Sequence, residues 1–70
     1  MTMKITLDKH ADAAYIYFSE IGPGEVAKTI TLNDSINIDL DSEGRTLGME
    51  ILNASKNLPL STIESATIIG

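Results

Sequence analysis

The segment Ile36-Asn-Ile-Asp-Leu-Asp-Ser-Glu-Gly-Arg-Thr-Leu-Gly-Met-Glu-Ile51 decides between two possible folds for this chain. On both sides of its polar centre, apolar residues alternate with polar residues or glycine, as they do in half-buried β-strands. A hairpin pairing would align apolar residues on one face of the sheet: Leu40 with Leu47, Ile38 with Met49, and Ile36 with Ile51. Gly44 suits a left-handed position in the turn. We therefore predict a β-hairpin.

The same segment also comes close to the spacing of a calcium-binding loop. Its carboxylates precede and follow Gly44 in nearly the EF-hand order. However, an EF-hand needs helices on both sides, and these flanks alternate as strands. The alternative hypothesis is a weak, non-EF-hand site for a divalent cation, formed by Asp39, Asp41, Glu43 and Glu50. In its favour, Asp39, Asp41 and Glu50 project from one face of the hairpin, and Gly48 leaves space opposite Asp39. The simpler interpretation is a solvated row of carboxylates.

Alternation elsewhere in the chain predicts three more strands, at about residues 3–7, 14–18 and 26–32. Asn33-Asp34-Ser35 and Gly22-Pro23-Gly24 are turn signals between them. Matching apolar faces sets the pairings: Met3 with Phe18, Ile5 with Ile16, Leu7 with Ala14, Ile30 with Ile38, and Leu32 with Ile36. Because strands adjacent in sequence usually pair, we predict a five-stranded antiparallel meander.

The predicted sheet has one apolar face, which must be covered. The C-terminal tail contributes apolar residues, and Ser61-Thr-Ile-Glu64 fits a capping box, so we predict a short helix from about Thr62. The fold class is α+β, mainly β, in one domain over residues 1–70, with the sheet at about 3–52 and the tail at 53–70. A short helix covers only part of such a sheet. We therefore expect a homodimer, a higher oligomer or a complex with another small protein to cover the remainder.

Composition excludes several classes of function. The net charge is −5, from ten acidic and five basic residues, which disfavours nucleic-acid binding because phosphates need a basic surface. No apolar run approaches the length of a membrane span, and no signal peptide precedes the first strand. There is no cysteine and no zinc signature. We expect a cytoplasmic protein that carries no cofactor and does not bind membranes.

The residues that could support catalysis are few. His10, the single histidine, lies in a predicted loop between Asp8 and Asp12, and no nucleophile motif accompanies it. We interpret His10 as an exposed loop residue, with both aspartates accepting backbone N–H bonds within the loop. Asp39 and Glu50 could form an acid–base pair, but an open sheet face offers no pocket to shift a pKa. We therefore predict that the protein is not an enzyme.

Two tyrosines, Tyr15 and Tyr17, fall on the polar face of the second predicted strand. They are candidate anchors of a protein–protein interface. The alternative, equally supported, is that they pack across strands against Thr29 and Ala27.

Four blocks of the sequence resemble the small bacterial proteins of the DUF2283 family. They are Asp8-x-x-Ala-Asp-Ala-x-Tyr-Ile-Tyr17, Lys28-Thr-Ile-Thr-Leu32, Asn37-Ile-Asp-Leu-Asp-Ser-Glu-Gly-Arg45 and Leu47-Gly-Met-Glu-Ile-Leu-Asn-Ala-Ser55. The resemblance covers residues 3 to about 58 and implies one compact fold of unknown function, with no catalytic residue to transfer. It also implies a small partner protein, in the manner of antitoxins. We expect an interaction module without catalytic activity, such as an antitoxin-like partner of a basic protein. The alternative is a homo-oligomer that binds a small ligand or a divalent cation through the acidic hairpin.

Overall fold

The computed structural model describes residues 3–69. Its elements, in chain order, are β1 (Lys4–Asp8), β2 (Ala13–Tyr17), β3 (Lys28–Thr31), β4 (Ile36–Leu40), β5 (Thr46–Leu52), α1 (Ala54–Asn57), α2 (Leu60–Ser65) and β6 (Thr67–Ile69). The strands form one sheet in the order β3-β4-β5-β2-β1-β6. All neighbours are antiparallel except β1 and β6, which are parallel. The mainly-β prediction is confirmed, but the sheet has six strands and is mixed.

The hairpin pairings predicted from alternation are largely confirmed. The observed partners include Ile5 with Ile16, Leu7 with Ala14, Ile30 with Ile38, Ile38 with Met49, and Ile36 with Ile51. One pairing was wrong, because Leu40 lies opposite Thr46 instead of Leu47, with a register irregularity at Asp39–Leu40. An extra residue on β5 at this point is a typical way for a strand pair to accommodate the entry to a turn.

The predicted meander is also wrong, because β2 pairs with β5 and not with β3. The chain between β2 and β3 therefore passes the ends of two strands before β3 adds at the outer edge. Alternation assigns each residue to a face of the sheet, but the apolar face of β2 is compatible with either β3 or β5 as its neighbour. Pairing with β5 places Ala14 beside Ile51 and Ile16 beside Met49. Ala14 and Ile51 are both buried in the observed arrangement.

The C-terminal tail contains more structure than the single helix expected from about Thr62. The chain forms the one-turn helix α1, then α2 from Leu60, and finally β6. In β6, Thr67 lies beside Thr6 and Ile68 beside Leu7. The tail thus adds a strand to the sheet as well as covering one face of it.

The core lies between the two helices and the part of the sheet formed by β1, β2 and β5. Its buried residues are Leu7, Ala14, Ile51 and Ala54, packed against Ile16, Ile36, Leu58, Ile63 and Ala66. By contrast, every residue of β3 is exposed. The helices therefore cover only one side of the apolar face, as the sequence predicted. None of the helices within residues 3–69 has the length and apolar character needed to cross a bilayer.

Candidate functional site

The polar face of the sheet carries a network of hydrogen-bonded side chains that begins at Tyr15 on β2. Its ring extends over Gly48 of β5, and its hydroxyl donates a 2.5 Å hydrogen bond to Oδ2 of Asp39 on β4. A Cβ built at Gly48 would lie 2.6 Å from the Tyr15 hydroxyl and 2.8 Å from the carbonyl oxygen of Ile16. The missing side chain at Gly48 is therefore what allows a residue on β2 to reach β4, two strands away.

Asp39 also accepts a hydrogen bond from β3, so it joins three strands. The Thr29 hydroxyl donates to its Oδ1 at 2.6 Å, leaving both carboxylate oxygens engaged. Burial raises the pKa of the Tyr15 phenol well above its ordinary value, and the nearby charge and hydrogen bond of Asp39 add to the increase. Tyr15 is thus held as a neutral donor and cannot act as a base near neutral pH.

A second row of hydrogen bonds runs beside the first. The Thr31 hydroxyl donates to Oδ1 of Asn37 at 2.8 Å, and Nδ2 of Asn37 donates to Oε1 of Glu50 at 3.1 Å. Because the Asn37 amide links the other two side chains, the row spans β3, β4 and β5 with donors and acceptors matched.

The two predicted interface tyrosines pack against each other and not against β3. The ring centroids of Tyr15 and Tyr17 are 4.6 Å apart, and Nζ of Lys4 lies 4.8 Å from the Tyr17 centroid, as in a cation–π contact. Their cross-strand neighbours on β5 are Glu50 and Gly48. The predicted packing against Thr29 and Ala27 was wrong because β2 is not adjacent to β3.

An open pocket of about 580 Å³ lies at the end of this face, beside Tyr17. Its lining residues are Lys4, Tyr17, Ser19, Glu20 and Ile21. The pocket combines one basic and one acidic side chain with an aromatic ring.

The four carboxylates of the predicted cation site are held in different ways. Asp41, at the hairpin tip, accepts bonds from the backbone N–H groups of Glu43 and Arg45 and from Nε of Arg45. These bonds, with the Arg45 backbone N–H first, lower the pKa of Asp41. Asp39 and Glu50 are bonded on the polar face, as described above. Within residues 3–69 no three acidic or histidine side chains are grouped closely enough to hold a metal ion.

The loop that contains the single histidine serves a structural purpose. Oδ1 of Asp8 accepts the backbone N–H groups of His10 and Ala11 at 3.0 and 3.2 Å, as predicted, and His10 is exposed. Asp12 differs from the prediction, because its carboxylate reaches the start of α1. It accepts the Ser55 N–H at 3.0 Å and the Ser55 hydroxyl at 2.7 Å, and its carbonyl accepts the Ala54 N–H at 2.9 Å.

A group of exposed apolar side chains lies on and beside β3. Val26 is 39% exposed, Ile30 40% and Leu32 61%. We call these three residues the β3 patch. Sequence analysis placed them on the apolar face but could not show that they lie at its uncovered side, since that depends on β3 being an edge strand.

Comparison with known proteins adds one result. No curated protein and no solved structure matches this chain. The sequence profile of the family described as "Protein of unknown function (DUF2283)" matches residues 4–55. That range includes β1 to β5, the whole hydrogen-bonded polar face, the β3 patch and the start of α1. The chain therefore belongs to the DUF2283 family.

Proposed function

We propose that this protein is an interaction module that acts by association and has no catalytic activity. The observation that supports this most directly is the β3 patch, where Val26, Ile30 and Leu32 are exposed at the side of the sheet that the helices do not cover. Exposed apolar residues scattered singly are ordinary, but a contiguous group on one edge strand is typical of a contact surface. The partner is a second copy of the chain or another small protein.

The polar face supports the same proposal, because four of its central side chains are engaged in hydrogen bonds. Tyr15, Asp39, Asn37 and Glu50 are bonded to one another or to the threonines of β3. A general base needs an available lone pair near substrate, and a nucleophile needs activation. The hydrogen bonds of this face instead fix β2, β3, β4 and β5 relative to one another, which presents the β3 patch on a rigid support.

The proposal is tested by measuring association of the full chain and of Leu32→Glu. Sedimentation velocity over a wide concentration range reports self-association, and a stoichiometric complex recovered from the source organism reports another partner. We expect Leu32→Glu to reduce whichever association is found, because a charge would be buried in an apolar contact. Leu60→Glu is the matched control, since Leu60 is 71% exposed on α2, away from β3.

Two outcomes would contradict the proposal. One is a wild-type protein that stays monomeric, melts cooperatively and retains no stoichiometric partner. The other is an association that Leu60→Glu weakens as much as Leu32→Glu does, because the β3 patch would then have no special part in it.

A further inference from the structure

The outer edge of β3 offers unpaired backbone groups to solvent. Among the strands of residues 3–69, β3 is terminal in the sheet and pairs with β4 alone. The Leu32 N–H donates to the Ile36 carbonyl at 2.9 Å, so the backbone groups of Leu32 point toward β4. Because these directions alternate along an antiparallel strand, the N–H and C=O groups of Thr29 and Thr31 point outward.

This edge carries few of the devices that keep sheet edges apart. Proteins protect edge strands by making them short, by proline, by charges such as lysine, by bulges or by a covering loop. Residues 26–33 contain no proline and no acidic residue, and their single charge is Lys28. The surface is also fully exposed along β3. Although the chain carries a net charge of −5, this segment carries no negative charge that would repel a second copy.

We propose that a second copy of the chain binds at this edge, with the two β3 strands antiparallel about a two-fold axis at Ile30. This inference rests on the proposed function and specifies its partner. In this register the outward-facing Thr29 of each copy lies opposite Thr31 of the other. Each such pair can exchange both of its N–H···O bonds. The two six-stranded sheets then continue into one.

The side chains match in the same register. Ile30 meets Ile30 across the axis, and Lys28 faces Leu32 on the same side of the sheet, where its aliphatic stem can cover the leucine. The threonines pair on the opposite face, and cross-strand threonine pairs are favourable. The exposed apolar residues of the two copies thus become neighbours in a single strip.

The charges match as well. Beyond Leu32 the second copy enters the β3–β4 turn, and Asp34 lies two residues farther along it. The long side chain of Lys28, opposite Leu32 in this register, can extend toward that carboxylate. The ion pairs found within residues 3–69 are those of Arg45, so Lys28 and Asp34 are not in an ion pair with another of these residues. The two-fold axis produces this contact twice.

The backbone contact is tested with Thr31→Pro, which removes the outward N–H of Thr31 and no backbone bond to β4, although the hydroxyl bond to Asn37 is also lost. Proline is tolerated at such edge positions. Thr31→Val is the matched control, because it loses the hydroxyl that bonds Asn37 but keeps the N–H. In sedimentation velocity we expect a wild-type dimer, a Thr31→Val dimer of similar affinity, and at least about tenfold weaker dimerisation for Thr31→Pro. Circular dichroism checks that both variants fold.

A charge exchange tests the register independently of folding. Lys28→Glu places like charges together at both contacts and is expected to weaken the dimer about tenfold at low salt. Combining it with Asp34→Lys restores opposite charges and is expected to recover most of the affinity. If Lys28→Glu weakens the dimer and the added Asp34→Lys does not restore its affinity, the proposed register is wrong.

Amide hydrogen exchange gives a direct view of the edge. We expect exchange at Thr29 and Thr31 to slow as protein concentration rises, while Ile30, whose groups face β4, changes little. Two results would contradict edge pairing while leaving the proposed function intact. One is a dimer in which the amides of Thr29 and Thr31 still exchange rapidly. The other is a dimer that Thr31→Pro does not weaken but Leu32→Glu abolishes. A monomer that binds only a different protein would do the same.

Discussion

Gly48 is the residue on which the polar face most depends. It faces Asp39 across the β4–β5 pair and Tyr17 across the β2–β5 pair, and the Tyr15 ring occupies the space that a side chain would need. A glycine within an alternating strand often marks such a close approach. The sequence therefore contained a signal for this contact, although it did not name Tyr15 as the group that fills the space.

Gly48→Ala is expected to destabilise the protein by about 1–3 kcal/mol, because the new methyl group would overlap the Tyr15 ring and the Ile16 carbonyl. Urea denaturation measures the loss. In the background of Tyr15→Ala the same substitution should cost less, since one of the two obstacles is gone. Equal costs in both backgrounds would show that Tyr15 does not restrict this position.

The contribution of Tyr15 to the free energy of unfolding changes with pH in the alkaline range. Its pKa in the folded chain is raised above the ordinary value of 10.0, so folding favours the protonated phenol. The resulting stabilisation is complete below pH 10 and is lost as pH rises above it. We expect the unfolding free energy of the wild type to fall more steeply above pH 10 than that of Tyr15→Phe. Parallel pH profiles for the two proteins would contradict this.

Among the elements, α1 is short and depends on a residue from the β1–β2 loop. It spans Ala54–Asn57, and Asp12 bonds the backbone N–H and the hydroxyl of Ser55 at its start. A helix of one turn has little stability of its own, so this cap and the burial of Ala54 hold it in place.

Asp12→Ala is expected to cost about 1–2 kcal/mol of stability, within the range measured for helix caps. Ser55→Ala should cost less, because the backbone N–H of residue 55 can still donate to Asp12. Chemical denaturation compares the two variants. If Ser55→Ala were the more harmful change, the hydroxyl and not the backbone contact would be the main link.

The carboxylates of the β4–β5 hairpin are the residues that a calcium ion would have to bind. Asp39, Asp41 and Glu50 are all engaged in hydrogen bonds, and Asp41 organises the turn in which Gly44 adopts a positive φ of 80°. Calcium would have to displace these bonds. We expect millimolar calcium to leave the melting temperature unchanged relative to a sample with chelator. A saturable increase that disappears in Asp39→Asn would establish the cation site instead.

The elements also show what the sequence could predict and what it could not. Period-two alternation located the five longer strands and most hairpin registers, because a slip of one residue would invert every side chain. It did not choose between β3 and β5 as the neighbour of β2, since both offer compatible faces. It also missed β6, because Thr67–Ile69 is too short for alternation to distinguish a strand from a covering tail. The Tyr15–Asp39 contact was missed because it requires β2 to lie beside β5, and alternation alone did not identify β5 as the neighbour of β2.

At the scale of the whole molecule, the apolar face of the sheet has one part that the helices cover and another part, at β3, that is exposed. The core residues near β1, β2 and β5 serve folding, while β3 remains exposed. If a second copy binds β3, folding and dimerisation are linked, because ordered β3 strands are present only in the folded chain.

We therefore expect the melting temperature to rise with protein concentration in the wild type and to become nearly independent of concentration in Thr31→Pro. Differential scanning calorimetry over a wide concentration range measures both. A wild-type melting temperature that does not change with concentration would contradict this linkage.

The parallel pairing of β6 with β1 has a practical consequence for attaching this protein to other molecules. The chain enters the sheet at β1 and leaves it at β6, and both strands lie at the side opposite β3. Because the two strands run in the same direction, the start of β1 and the end of β6 lie at opposite ends of that side. A dye attached at Lys4 or at Ile69 would therefore lie at the side of the sheet away from β3.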